Sequence, residues 1–190
     1  MSVSWFLSIL WPMERPSRPR ITVLGVGNIL FCDEGLGIRA IEHLERKYHF
    51  PDNVELVDGG VLGIHLLGTI TKADHLIVID AIKNGAPPGT FHRLEGDQIP
   101  KRILAKNSLH EVDLLEALSL CPAFDKVPET VILGIEPYDI ESLSLELSPV
   151  VRGKLDDLID RVVEELRSLG AKPKPKTQEE QRSYVPCNPS

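Results

Sequence analysis

Residues 75–81 read His75-Leu-Ile-Val-Ile-Asp80-Ala81, and the stretch His75–Ile79 is a nearly unbroken apolar run. Such a run, too short for a helix and without polar alternation, marks a strand buried on both faces at the centre of a parallel sheet. Upstream of it, Val54–Val57 reads as a strand, followed by a short helix through Leu62, Leu66 and Ile70. Further back, Ile21–Val26 is a strand, and Ile38, Ile41, Leu44 and Tyr48 fall on one helical face. Downstream, Gly85–Gly89 with its Pro-Pro pair is a turn, and Thr90–Leu94 alternates like a half-exposed edge strand. Ser108-Leu-His-Glu111 has capping-box spacing and opens a helix through Val112, Leu115 and Leu118. Thr130–Ile135 is another buried strand. Ser148-Pro149 supplies an N-cap and a proline at the first helical position of a last amphipathic helix through Val151, Leu155, Leu158, Val162, Leu166 and Leu169. Alternation of strand and helix predicts an α/β three-layer sandwich, a mostly parallel twisted sheet with helices on both faces.

The chain's 190 residues, 42% hydrophobic and 26% charged, suit one well-buried core. Collagen, disordered and multi-span membrane classes are excluded by that composition. The net charge of −7 is unevenly placed: residues 1–20 and 171–190 carry +2 each, leaving −11 on residues 21–170. That sign opposes nucleic-acid binding. Cys32, Cys121 and Cys187 form neither a CxxC motif nor an even set, which fits a reducing cytoplasm rather than a disulfide framework. The apolar run Trp5–Trp11 lacks a basic n-region and a cleavage site, and it is about half the roughly 20 residues a membrane span needs. Residues 1–20, with Met13 as an alternative start, are expected to be a disordered or extraneous extension, residues 21–169 the folded domain, and residues 170–190 a flexible Pro-rich tail.

Ligands of such sheets sit beyond the carboxyl ends of the strands. The loop after the first strand runs Gly25-Val-Gly27-Asn28-Ile-Leu-Phe-Cys-Asp33-Glu34-Gly35-Leu-Gly37. Its Gly25-x-Gly27 opening invites a dinucleotide reading, but leucine stands where the third glycine belongs, and two adjacent carboxylates would repel a pyrophosphate. Asp33 and Glu34 after the first strand, Asp58 after the second and Asp80 after the third are expected to converge on one rim. His110, in the first turn of its helix, is disfavoured from protonation by the helix end and stays free to bind a metal. Carboxylates with a neutral imidazole make a mixed oxygen and nitrogen site for a borderline divalent ion such as nickel or zinc. Plainer roles stand beside this: Glu34 as a helix cap, Asp58 with Gly59-Gly60 as a turn former, Asp80 as a partner of loop amides, His110 as a helix-start residue. His43, His49, His65, His75 and His92 are read as structural, without carboxylate company. Cys32, next to Asp33 and without a cationic neighbour, is read as a loop-packing residue.

Taken together, Gly25-x-Gly27-Asn28-x-Leu30-x-x-Asp33-Glu34-Gly35-x-Gly37, Asp58-Gly59-Gly60, Ile79-Asp80-Ala81 and Ser108-x-His110 resemble the motifs of the hydrogenase maturation endopeptidases, in order over roughly residues 21–169. The resemblance implies an enzyme that removes a C-terminal extension from the nickel-iron hydrogenase large-subunit precursor after nickel insertion. It implies Glu34, Asp80 and His110 as metal ligands, with nickel arriving on the substrate, and Asp58 as the other functional acid, a general base, a residue that only orients the loop, or one member of an aspartic-type pair. Val61 stands where many relatives have threonine, which removes a hydroxyl from that position. A monomer in the cytoplasm is expected, acting on the large-subunit precursor without nucleic acid or membrane insertion. A non-enzymatic alternative keeps the site and drops the reaction: a nickel-dependent chaperone of the immature large subunit. A nucleotide-binding module is the third reading.

Overall fold

The computed structural model describes residues 18–60, 66–96, 98–99, 121 and 127–185. Five strands, β1 (Ile21–Val26), β3 (Val54–Gly60), β4 (His75–Ala81), β5 (Phe91–Glu95) and β6 (Glu129–Ile135), form one sheet in the order β3-β1-β4-β6-β5. All neighbours run parallel except β5, which lies antiparallel on β6 at the edge, as its half-exposed alternation predicted. The apolar run that decided the fold is the middle strand: Leu76, Ile77, Val78 and Ile79 are each no more than 1% exposed. Burying side chains of this size contributes about 1.5–3 kcal/mol apiece.

Strand alternation divides that core into two layers. Val23, Ile77 and Ile79 face helix α1 (Leu36–Lys47) and the helices α3 (Pro149–Arg152) and α4 (Leu155–Ser168). Leu24, Leu76, Val78 and Ile132 face the other way, against Leu66 and against Ile70 of the α2 turn (Leu67–Ile70), together with Ile99 and Cys121. The result is the expected three-layer α/β arrangement. Ser148 caps α3 through its side chain, which accepts from the Val151 N–H, with Pro149 at the first helical position. The last helix nevertheless breaks at Gly153-Lys154, and α4 begins anew at Leu155, so the apolar stripe from Val151 to Leu166 stays buried across two axes instead of one.

The sequence reading fails most clearly at the C-terminus. Residues 171–185, expected as flexible tail, are docked on the end of α1. Gly170, at φ 83, closes α4, and the Ala171 N–H reaches back to the Leu166 carbonyl. β7 (Lys174–Pro175) then pairs antiparallel with β2 (Tyr48–His49). Tyr48, expected on the apolar face of α1, is therefore extended, at φ −134 and ψ 149. Helix α5 (Gln178–Arg182) opens with a capping box between Thr177 and Glu180, and the Tyr184 hydroxyl donates to Glu45 Oε2 at 2.6 Å. Proline content alone misled, because the segment is tied down by residues far back in the chain, through the pairing with β2 and the bonds of Lys176 and Tyr184 to Glu45. The expected lead-in up to residue 17, Leu62, the helix expected from Ser108 and residues 186–190 lie outside the described residues.

The loop that follows β1 is pressed onto the sheet by glycines. Gly27, at φ 129, has no room for a side chain because the Glu34 carbonyl lies where its Cβ would be. A Cβ on Gly37 would overlap the carbonyl oxygens of both Val26 and Ile79. Backbone there cannot retreat without breaking β1 or β4. Gly37→Ala is expected to lower the unfolding free energy by about 3 kcal/mol or more, or to abolish soluble expression. Gly68→Ala, in a helical position with nothing within 4 Å of the added carbon, is expected to be neutral or to stabilise by up to about 1 kcal/mol. Urea denaturation of the two variants checks both.

Candidate active site

The chain leaves β1 to one side, through α1 to β3, and returns on the other side as β4, so the strand order reverses at β1. The carboxyl ends of β1 and its two neighbours form the crevice in which a ligand sits in folds of this type. Register fixes who stands there: Gly25 of β1 is level with Asp58 of β3 on one side and with Ile79 of β4 on the other. Asp58 and Asp80 thus belong to strands two apart, roughly 10 Å between axes. Alternation also separates their faces. Asp58 follows Val57, which packs on the α2 layer, and so projects on the α1 face. Asp80 follows Ile79 of the α1 layer and projects on the α2 face.

The two adjacent acids of the β1 loop have different fates. Asp33 was expected on the rim with the others, but it is 0% exposed. Its Oδ2 accepts N–H bonds from Tyr138 (2.8 Å) and Asp139 (3.0 Å), and its Oδ1 accepts one from Ser148 (2.7 Å). Three backbone donors satisfy this buried carboxylate, so it is a structural anchor. Glu34 sits in the short 3-10 turn Cys32–Gly35, over Gly27 and against β4. No side-chain cap closes the start of α1, so Glu34 does not serve as its N-cap. Cys32 has φ 41 and donates its N–H to the Ser144 carbonyl. Burial first, then the charges of Asp33 and Asp139, push its thiol above the usual range, consistent with the loop-packing role.

Asp58 opens to solvent at the strand end, and its Oδ1 accepts the Gly60 N–H at 3.0 Å, the turn-forming contact its Asp-Gly-Gly context predicted. Loss of water around the carboxyl raises its pKa; the Gly60 bond opposes this, and the charges of Glu42 and Glu45 on α1 add to the rise. Asp80 accepts the Ala81 N–H at 2.7 Å. His110 and Val61 lie outside the described residues. Among the described residues no three His, Cys, Asp or Glu side chains gather as a metal site, and the expected set needs His110 to be complete.

The sequence profile of the family described as HycI, hydrogenase maturation protease, matches residues 38–165. The chain belongs to the hydrogenase maturation proteases. It is 41% identical over 166 residues to the hydrogenase expression/formation protein HupD of Rhizobium leguminosarum bv. viciae, covering 86% of this chain and 82% of that one. It is 39% identical over 160 residues to the hydrogenase 2 maturation protease of Escherichia coli (strain K12), covering 83% and 96%. The structure of the hydrogenase maturating endopeptidase HybD from E. coli superposes with a TM-score of 0.79 at 37% identity, covering 83% of this chain and 98% of that one. The family makes this chain a peptide-bond hydrolase.

Sequence reasoning missed one rim residue of this maturation protease. Glu136, just past β6, is 3% exposed and accepts N–H bonds from Asn84 (2.8 Å) and Gly85 (2.9 Å) and a contact from His92 Nε2 (2.9 Å). Burial alone would raise its pKa, but the Asn84, His92, Gly85 and Ala86 bonds outweigh it and hold the carboxyl below its usual range. It fastens the Asn84–Gly89 loop over the end of β6. The signal was available: Ile135-Glu136 repeats the strand-then-acid pattern of Ile79-Asp80. His92 therefore does have carboxylate company, as do His43 with Asp156 (3.9 Å), His49 with Glu180 (2.9 Å) and His75 with Glu129 (3.2 Å), against the expectation. These partners come from other strands and helices, which spacing along the chain does not reveal. Among the described residues, no helix is long and apolar enough to cross a membrane.

Two outcomes test these readings of the acids. Asp33→Asn is expected to cost about 3 kcal/mol of stability, since an amide presents a donor to three N–H groups, whereas Glu34→Gln stays within about 1 kcal/mol of wild type in the same urea titration. Asp58 has a folded pKa above its unfolded value, so its charged form is destabilising: the cost is absent below the unfolded pKa near 3.8 and develops as pH rises through the folded one. Asp58→Asn is thus expected to melt no lower than wild type at pH 7, with any advantage vanishing below pH ~3.8 in scanning calorimetry.

Proposed function

We propose that this maturation protease removes the C-terminal extension of the nickel-iron hydrogenase large-subunit precursor in the cytoplasm, acting as a monomer on a substrate that already carries nickel. The observation that carries this reading is the packing of the Glu34 turn against β4, the strand that ends in Asp80-Ala81, beside the point where the strand order reverses at β1. Glu34 and Asp80 offer carboxylate oxygens and His110 an imidazole, a donor set suited to a borderline divalent ion. Nickel enters as part of the substrate: these three residues complete its coordination and so align the polypeptide for cleavage, and a precursor without the ion is not cut.

Hydrolysis then needs an activated water and a protonated leaving amine. Asp58 is assigned the base. Its raised pKa makes its carboxylate a stronger base than a free aspartate, and solvent reaches it at the strand end. Because Asp58 and Asp80 leave the sheet on opposite faces, they do not form the side-by-side carboxylate pair that an aspartic-type mechanism uses, which supports the metal-assisted version.

The test mixes purified protein with nickel-loaded precursor and weighs the products. A precursor shortened at its C-terminus is expected. Glu34→Gln, Asp80→Asn and His110→Ala are each expected to slow its formation on the order of 100-fold while melting like wild type. Full processing by any two of them would refute the assignment, and a bound precursor of unaltered mass would leave a chaperone instead.

A further inference from the structure

Large apolar side chains that stand exposed concentrate beside the candidate site. Ile29 (39%), Leu30 (51%), Tyr138 (69%), Leu143 (79%) and Leu145 (57%) are all open to solvent. They lie on two segments, 29–32 and 138–145, joined as a short parallel ladder: Phe31 bridges Ser144, the Ser144 N–H donates to the Leu30 carbonyl (3.0 Å) and the Cys32 N–H to the Ser144 carbonyl (2.9 Å). Asp33 pins Tyr138 and Asp139 from below, and Arg39 Nη2 holds the Leu145 carbonyl at 2.8 Å. Leu143 and Leu145 flank Ser144, whose side chain is taken up by hydrogen bonds to the Glu146 backbone, and both leucines stand open to solvent. An apolar surface on a backbone held this firmly is preorganised for contact, and it costs little ordering entropy when covered.

The geometry points to this shelf as the docking surface for an apolar stretch of the precursor polypeptide next to its scissile bond. This rests on the function proposed above. Continuity argues for that occupant: the shelf's first segment runs directly into the Cys32–Gly35 turn that presents Glu34, so a chain reaching the rim along this side crosses Leu30, Leu143 and Leu145. The acids beside the shelf are engaged within the chain: Asp139 Oδ1 accepts the Glu141 and Ser142 N–H groups, and Glu146 pairs with Arg152 at 3.8 Å, which leaves the apolar side chains as the surface on offer. Neither metal ligand nor base is needed for this grip, so docking and cleavage are separable.

The experiment measures the Kd of the full chain for nickel-loaded large-subunit precursor by surface plasmon resonance, alongside the cleavage assay. The double variant Leu143→Asp with Leu145→Asp is expected to melt like wild type and to weaken binding at least about tenfold. Val127→Asp with Val185→Asp, two exposed apolar residues off the shelf, is expected to bind like wild type. Wild-type affinity in the shelf variant, or equal losses in both variants, would overturn the shelf, as would a wild-type chain that does not bind the precursor. Binding that depends on the shelf, with no cleavage by wild type, would refute the proteolytic reading and leave the docking surface standing.

Discussion

The carboxylate of Asp33 ties together parts of the chain that are far apart in sequence. Its two oxygens collect N–H groups from Tyr138, Asp139 and Ser148, residues 105 to 115 positions away. The loop after β1, the loop after β6 and the start of α3 thereby become one block at the carboxyl end of the sheet. Charge-assisted bonds of this kind are short and directional, and a buried carboxylate denied them would be several kcal/mol worse off, so the arrangement is strongly held. Glu34 inherits its place from this block, as does the exposed apolar ladder of residues 29–32 and 138–145.

Close backbone approach does the rest. Gly27 and Gly37 let the turn bearing Glu34 settle directly onto β1 and β4. On the neighbouring strands, register and alternation send Asp58 and Asp80 to opposite faces of the sheet. The acids of the rim therefore divide by work: Asp33 and Glu136 are consumed by backbone donors, while Asp58 keeps solvent and a raised pKa.

Much of this was legible along the chain. The central strand, the edge strand and the caps of the last helix follow from short-range apolar periods and from Ser148-Pro149, and they appear where those periods put them. The motif acids Asp58 and Asp80 stand at the ends of β3 and β4, as strand and loop boundaries implied. Asp33 and Glu34 were not distinguishable, being adjacent, acidic and in the same loop. The histidine partners were equally hidden, since His92 meets Glu136 only because β5 turns back on β6.

By itself the sequence determined the layers: which residues form strands, which helical stripes are apolar, and that the acids fall at strand ends. These properties depend on neighbours within a turn or a strand, where steric and hydrophobic preferences act locally. Only the tertiary structure decided which acid is buried, that Tyr48 leaves its helix to pair with Pro175, and that residues 171–185 are ordered. The satisfaction of a buried polar group or an open strand edge is a long-range matter, because the donor that fills it comes from wherever the folded chain happens to return.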